Sequence, residues 1–219
     1  VSDLRGSVGI LGGSFNPVHN GHVRMAVEVR EALDLSRVDF LPAQVPPHKG
    51  VSGLLDFSLR LELLHAAVQG IDGLTVSALE GELPIPSYSY LTLEYLQGAF
   101  PEVNYAFIMG AGDFLTLPDW YRGLELPLLS DIIVVRRQDV EMGAIDRFLD
   151  EHWQWTAAGR RIRRIAGGRS VFLVSIPRLE ISSSLVRERF LAGRELAGLV
   201  PQSVCRRMLG DPAFAASWS

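Results

Sequence analysis

The chain has 219 residues, 47% of them hydrophobic and 21% charged, with a formal charge of -4 at pH 7. This length suits one well-buried domain over 1–219, the composition excludes a disordered or fibrous architecture, and the acidic balance excludes a broad basic field for nucleic acid. No apolar run reaches membrane-spanning length, and residues 8–11 are too short, and too soon followed by Gly12-Gly13, to be a signal sequence, so a cytoplasmic protein is expected.

A short apolar strand at 7–11 runs into Gly12-Gly13, and a helix starts near Asn20 or Gly21, where Val23, Ala26, Val27, Arg30 and Leu33 recur at helical spacing with one polar interruption. Residues 38–43 read as the next strand, Pro46-Pro47 as a loop, and 57–69 as a helix with Leu59, Leu63 and Leu64 on one side. A strand at 74–79, a loop at 83–88 and a helix at 89–98 follow, then strands at 104–109 and 131–135. Helical pattern covers 141–155. The basic run at 159–169 reads as a solvated loop, 170–174 as a strand, and 183–192 and 201–209 as helices. Strands that are apolar nearly throughout and alternate with helices predict an α/β fold with a doubly wound, Rossmann-like parallel sheet and helices on both faces. Ligands of such sheets sit beyond the carboxyl ends of the strands, here the loops after Leu11, Ala43, Met109 and Val174. The single Cys205 reads as a buried small hydrophobe.

Two stretches carry chemistry. In GGSFNPVHNGH (12–22), Gly12 and Gly13 let the backbone approach a ligand closely or take positive φ, and the following helix presents unpaired amides to an anion. His19 and His22 lie three apart at the helix start, so both can project to one side. On spacing alone they are phosphate donors, a metal pair or two structural histidines, and no acidic or cysteine residue stands at a matching offset for a metal. In ISSSLVRERF (181–190), Ser182, Ser183 and Ser184 precede a helix that Gly193 is placed to end. These serines are a helix cap with spares, or a hydroxyl and amides that converge with Arg187, one turn along the same face, on one anion.

The first stretch resembles the HxGH signature of the nucleotidyltransferase superfamily, and the second resembles that superfamily's ISSTxxR element with Ser184 in place of Thr. The resemblance implies that His19 and His22 polarise ATP phosphates as charge moves onto pyrophosphate, without a covalent enzyme intermediate, and that Ser183 and Arg187 grip the β and γ phosphates. ATP-binding residues implied in this way are Gly12, Gly13, Ser14, Phe15 and the two histidines, together with Gly110, Ile181, Ser182, Ser183 and Arg187. Asn16 and Ser14 stand where the family more often has Asp and Thr.

Four further stretches are similar to nicotinate mononucleotide adenylyltransferases: Val45-Pro46-Pro47-His48-Lys49 to their PPHK loop, Pro86-Ser87-Tyr88-Ser89 to PSYT, Trp120-Tyr121 to WY, and Arg136-Arg137 to the arginines after a later strand. The likeness runs from about Val8 to Phe190 and is interrupted at 139–169. It implies Lys49 and Arg187 as catalytic beside the histidines, and Lys49, Tyr88, Ser89, Trp120, Tyr121 and Arg137 as acceptor-binding. A helix starting near Ser89 offers amides and a hydroxyl to a carboxylate, and Trp120 can stack on a pyridinium ring. The family pattern Gly-x-Asp is replaced by Gly110-Ala111-Gly112-Asp113, which leaves the part played by Asp113 open. The expected partners are ATP, carrying Mg²⁺, and nicotinate mononucleotide; neither a nucleic acid nor a membrane is expected, and the choice between monomer and homo-oligomer stays open. Phosphopantetheine or nicotinamide mononucleotide as acceptor, and a nucleotide-binding regulator without catalysis, are the alternatives.

Overall fold

The structure, a computed structural model, describes residues 4–47, 52–136, 141–177 and 179–218. Its first half runs β1 (Val8–Gly13), α1 (Asn20–Leu33), β2 (Arg37–Pro42), α2 (Phe57–Val68), β3 (Leu74–Val76), α3 (Ser89–Ala99), β4 (Tyr105–Gly110), α4 (Ala111–Leu115) and α5 (Leu126–Leu129). The second runs β5 (Asp131–Arg136), α6 (Met142–His152), β6 (Trp155–Ala157), β7 (Ile162–Ile165), β8 (Ser170–Ser175), α7 (Ser183–Leu191), α8 (Gln202–Leu209) and α9 (Ala213–Trp218). The strands form one sheet in the order β3-β2-β1-β4-β5-β8-β7-β6, parallel from β3 to β8 and antiparallel in its last two pairs. The chain lays down β1, β2 and β3 in one direction and β4, β5 and β8 in the other. The order therefore reverses between β1 and β4, whose carboxyl ends, Gly12-Gly13 and Gly110, flank the crevice where such sheets take ligands.

Side-chain alternation divides the core in two. In β5, Ile133 and Val135 join Leu11, Phe40 and Ile108 beneath α1, α2, α7 and α8, while Ile132 and Val134 join Ile10, Phe107 and Met109 beneath α3 to α6. Burial of both faces is what the continuous apolar strands require. Among the described residues no helix is long and apolar enough to cross a membrane.

Three expectations are corrected. The strand expected over 74–79 stops at Val76, and a single 3₁₀ turn, Leu79–Gly81, follows. The helix expected to reach Trp155 ends at His152, because Trp153 is extended (φ -142°) and turns its indole N–H to the Leu124 carbonyl (3.2 Å). The basic run at 159–169 contains β7, which pairs with β6 and β8; Arg163 points inward there, 6% exposed, and is held by Asp146 at 2.8 Å. Cys205 is half-buried and packs against the core.

Asp131 opens β5 at 3% exposure, and its Oδ1 accepts the Ser170 amide (2.8 Å). Burial pushes its carboxyl above the usual range, against the Ser170 hydrogen bond and the charge of Arg169. The native state then holds the proton more tightly than the unfolded chain, so stability is lost as pH rises from 3.8 through the folded value. Asp131→Asn keeps an acceptor for Ser170 and removes the buried charge. Its denaturation midpoint should exceed that of the parent at pH 7, by a margin that shrinks towards pH 4; a margin independent of pH would contradict this.

Candidate active site

Two adjoining cavities occupy the switch-point crevice. The larger, about 690 Å³, is lined by the carboxyl ends of β1 and β4, by Ser87 to Ser89, and by Asp113, Trp120 and Tyr121. The smaller, about 610 Å³, is lined by Asn16, His19, residues 52–54, Ile181 to Ser184, Arg187 and Trp218. Ser14, His22 and Ser183 line both, so the two are ends of one groove. Their volumes fall in the range of small-molecule sites.

The β1–α1 loop is pinned from several sides. Asn16, 8% exposed, donates from Nδ2 to the Gly53 carbonyl (2.6 Å) and accepts the Leu55 amide on Oδ1 (3.1 Å). A carboxylate could not make the first bond, which accounts for Asn at this position. Asn20 bonds to the carbonyls of Gly198 and Leu199, both at 2.8 Å. The glycines do not act through positive φ, since Gly12 and Gly13 end β1 as extended strand; the left-handed residue is Phe15, at φ 45°. The Phe15 side chain lines neither cavity. Its ring is 1% exposed, packed on Phe40 and edge-on to His22, and belongs to the core beneath the groove.

His19 is the N-cap of α1 and His22 its third residue. His22 Nδ1 accepts the His19 backbone N–H (3.2 Å), as the reciprocal arm of a capping box does. With Nδ1 an acceptor, the neutral ring carries its proton on Nε2 as a donor. The two imidazoles stack, with centroids 3.6 Å apart and planes at 22°. Gly21 makes this possible: a β-carbon there would stand 2.9 Å from His19 Nδ1.

The carboxyl-terminal motif reaches the same loop. Ser182 is the N-cap of α7 and accepts the Leu185 amide (3.1 Å), so it does cap the helix. Ser183 Oγ donates to the Pro17 carbonyl (2.9 Å), while Arg187 donates from Nη1 to the Asn16 carbonyl (2.7 Å) and from Nη2 to Ser184 Oγ (3.2 Å). His19, Ser183 and Arg187 thus share one cavity with the first-turn amides of α7, a donor set suited to an anion.

At the other end, Tyr88 is the N-cap of α3 and its side chain does not cap that helix, which starts beside Ser89 in the larger cavity. Ser87 does other work: its Oγ accepts the amides of Gln44 and Val45 (2.9 and 3.3 Å). Trp120 lines the cavity and also packs on the core, while Tyr121, nearly half exposed, lies 4.6 Å from Tyr88. Gly123 must lack a side chain for this, since a β-carbon would stand 2.1 Å from the Leu117 carbonyl oxygen and 2.8 Å from Trp120 Cβ. Asp113 lines the cavity from α4 with Oδ2 turned back towards Gly110, and a β-carbon on Gly112 would meet nothing within 4 Å. Lys49, with His48, and Arg137 lie outside the described residues, whereas Arg136 ends β5 and donates to Met142 Sδ (3.6 Å).

Two site features were absent from the sequence reading. Glu80, 4% exposed, lines the larger cavity; its Oε1 accepts from Thr92 (2.5 Å), and Oε2 has no hydrogen-bond partner among the described residues. Arg60 is 1% exposed beneath the loops. Its signal was an arginine on the apolar side of a helix, between Leu59 and Leu63-Leu64.

Among the described residues no group of three or more His, Cys, Asp or Glu could hold a metal ion. A divalent cation in the groove would draw its ligands chiefly from phosphate oxygens and water, as Mg²⁺ commonly does, with Glu80 and Asp113 the carboxylates lining the larger cavity.

Fold and groove together define the cytidylyltransferase-like class, whose family model matches residues 10–189. Curated relatives include one from Geotalea uraniireducens, 40% identical over 90% of this chain and 93% of its own length, and one from Streptococcus pneumoniae, 36% identical over 91% and 85%. Both are named "Probable nicotinate-nucleotide adenylyltransferase". The chain belongs to the family of nicotinate-nucleotide adenylyltransferases. A Plasmodium falciparum nicotinic acid mononucleotide adenylyltransferase solved in complex with NaAD shares the fold at TM-score 0.72 and 15% identity, over 95% of this chain and 97% of that one.

Gly21→Ala should leave the fold intact, because alanine suits a helix better than glycine and the His19 ring can swing aside. The histidine stack should be lost, and nucleotide turnover should fall roughly 10- to 100-fold at an unchanged melting temperature. Full activity in the variant would show the stack to be dispensable.

Proposed function

We propose that this chain transfers the adenylyl group of ATP to nicotinate mononucleotide, giving deamido-NAD and pyrophosphate in NAD biosynthesis. The observation that carries the reading is the meeting of both phosphate motifs in one groove, where Ser183 and Arg187 bond to the backbone of the loop that leads into His19 and His22.

In this reading ATP lies across the groove with its adenosine beside Gly12, Gly13 and Gly110 and its β and γ phosphates towards Ile181, Ser182, Ser183 and Arg187. An oxygen of the acceptor's 5′-phosphate attacks the α-phosphorus in line. The bond from that phosphorus to the bridging oxygen breaks, and its electron pair leaves with pyrophosphate. The attacking phosphate is already anionic at neutral pH, so no general base is required. His22 Nε2–H and His19 donate towards the charge that grows on the leaving group, where preorganised donors contribute most. Ser183 spends its hydroxyl proton on Pro17, so its contribution is the helix amide, while Arg187 has N–H groups beyond those given to Asn16 and Ser184. Mg²⁺ arriving on the nucleotide would neutralise phosphate charge. Lys49 and Arg137 are assigned to the acceptor phosphate on their motifs. Ser89 and the first amides of α3 suit a ring carboxylate, Trp120 with Tyr121 suits the pyridinium face, and Asp113 lines the same cavity.

One observation favours an amide acceptor. The unpartnered Oε2 of Glu80 in the acceptor end would take a carboxamide N–H and would repel a carboxylate. Gly112, the feature that favours a non-catalytic binder, is offset by Asp113 in the cavity one residue on.

Pyrophosphate release from ATP should be measured with nicotinate mononucleotide, nicotinamide mononucleotide and phosphopantetheine in separate reactions. Release with the first, well above the other two, is expected; ATP binding without release from any of them would refute the proposal. In His22→Ala, turnover should fall by about 10²- to 10³-fold. Stability should drop by only about 1 kcal/mol, the worth of a helix cap, so parallel loss of fold and activity would make His22 structural instead.

A further inference from the structure

Arg60 belongs to α2, outside every motif of the groove, yet its guanidinium is spent on the backbone around it. Nε donates to the Leu55 carbonyl (2.9 Å), Nη1 to those of Ser14 (3.1 Å) and Ala43 (2.5 Å), and Nη2 to that of Gln44 (2.8 Å). Ser14 belongs to the loop after β1 and lines both cavities; Ala43, after β2, lines the larger. The 43–45 loop is gripped from its other side by Ser87, which accepts the Gln44 and Val45 amides on Oγ and donates its own amide to the Val45 carbonyl (2.9 Å). Ser87 directly precedes Tyr88 and Ser89 at the acceptor end. A continuous line of hydrogen bonds therefore runs from the nucleotide loop through Arg60 to the start of α3.

We propose that Arg60 is a positioning residue that fixes the nucleotide loop and the acceptor loop in one register, so that binding of both substrates depends on it. This rests on the function proposed above. Only a planar fork with several separate donors can serve carbonyls from three segments at once; an ammonium presents all its donors from one point. A buried cation is tolerated where dipoles replace its water, and the four carbonyls do so here. Burial pushes the guanidinium down to about 10, which leaves it charged at neutral pH.

The test compares Arg60→Met, Arg60→Lys and a distant control, Arg163→Met, which breaks the ion pair between β7 and Asp146 of α6. Each is assayed for pyrophosphate release and for hydrogen exchange in peptides covering residues 12–16 and 43–46, at a temperature where circular dichroism shows it folded. In Arg60→Met, KM should rise about tenfold or more for ATP and for nicotinate mononucleotide alike, since displacement of a positioning contact by an ångström costs roughly 10²-fold. Exchange should quicken in both loops. Arg60→Lys should recover part of both effects, and Arg163→Met should move neither, even with an equal fall in melting temperature. Both KM values within twofold of the parent, a shift for one substrate only, or the same changes in Arg163→Met would overturn the proposal. If Arg60→Met does not fold, Arg60→Lys decides on the same readings. If the parent releases no pyrophosphate with nicotinate mononucleotide, the proposed function fails separately. Loop exchange then decides alone, and unchanged exchange refutes the role of Arg60.

Discussion

Two hydrogen bonds from the last quarter of the chain to the backbone of its first twenty residues close the groove. Ser183 reaches Pro17, and Arg187 reaches Asn16, across 166 and 171 residues. Their net energy is modest, about 1 kcal/mol for the hydroxyl and about 1.5–3 for the charged donor. That suffices to offset a left-handed Phe15, whose φ of 45° costs on the order of 1–3 kcal/mol. What the bonds provide is geometry: they set His19 and His22 at the start of α1 and the first-turn amides of α7 around one anion site.

The sheet explains why such distant segments can meet. Reversal of strand order between β1 and β4 leaves a crevice at their carboxyl ends, and every loop that lines it leaves a buried strand or enters a helix packed on the sheet. A chain with a net charge of -4 thereby gathers its anion donors into one groove. The charge balance of the whole protein is silent about the ligand because, in the proposed reading, the donors among the described residues are amides, imidazoles and the Arg187 guanidinium, each held in place.

Much of this was legible in the order of residues, for identifiable reasons. Strands buried on both faces announce themselves as apolar runs, and β1, β2, β4, β5 and β8 were all placed within a residue or two. Local motifs were legible too, since His19, Gly21 and His22 act within one helical turn. Features that depend on partners far along the chain were not. Ile162-Arg163-Arg164-Ile165 has the composition of a solvated loop until Asp146 supplies a counter-charge for an inward arginine. Phe15 reads as part of a ligand loop until Phe40 is seen beneath it. Arg60 looks like an interruption of an apolar helix face until three loops deliver carbonyls to it.

The sheet ends at either side in a strand of only three residues, β3 and β6. A border so short offers an incoming chain few unpaired amides and carbonyls to copy, and β7 next to one border carries arginines at its centre. The same economy that confines the ligand crevice to the middle of the molecule thus leaves both margins poor templates for edge-to-edge aggregation, which suits a protein that must stay dispersed while it is made and used.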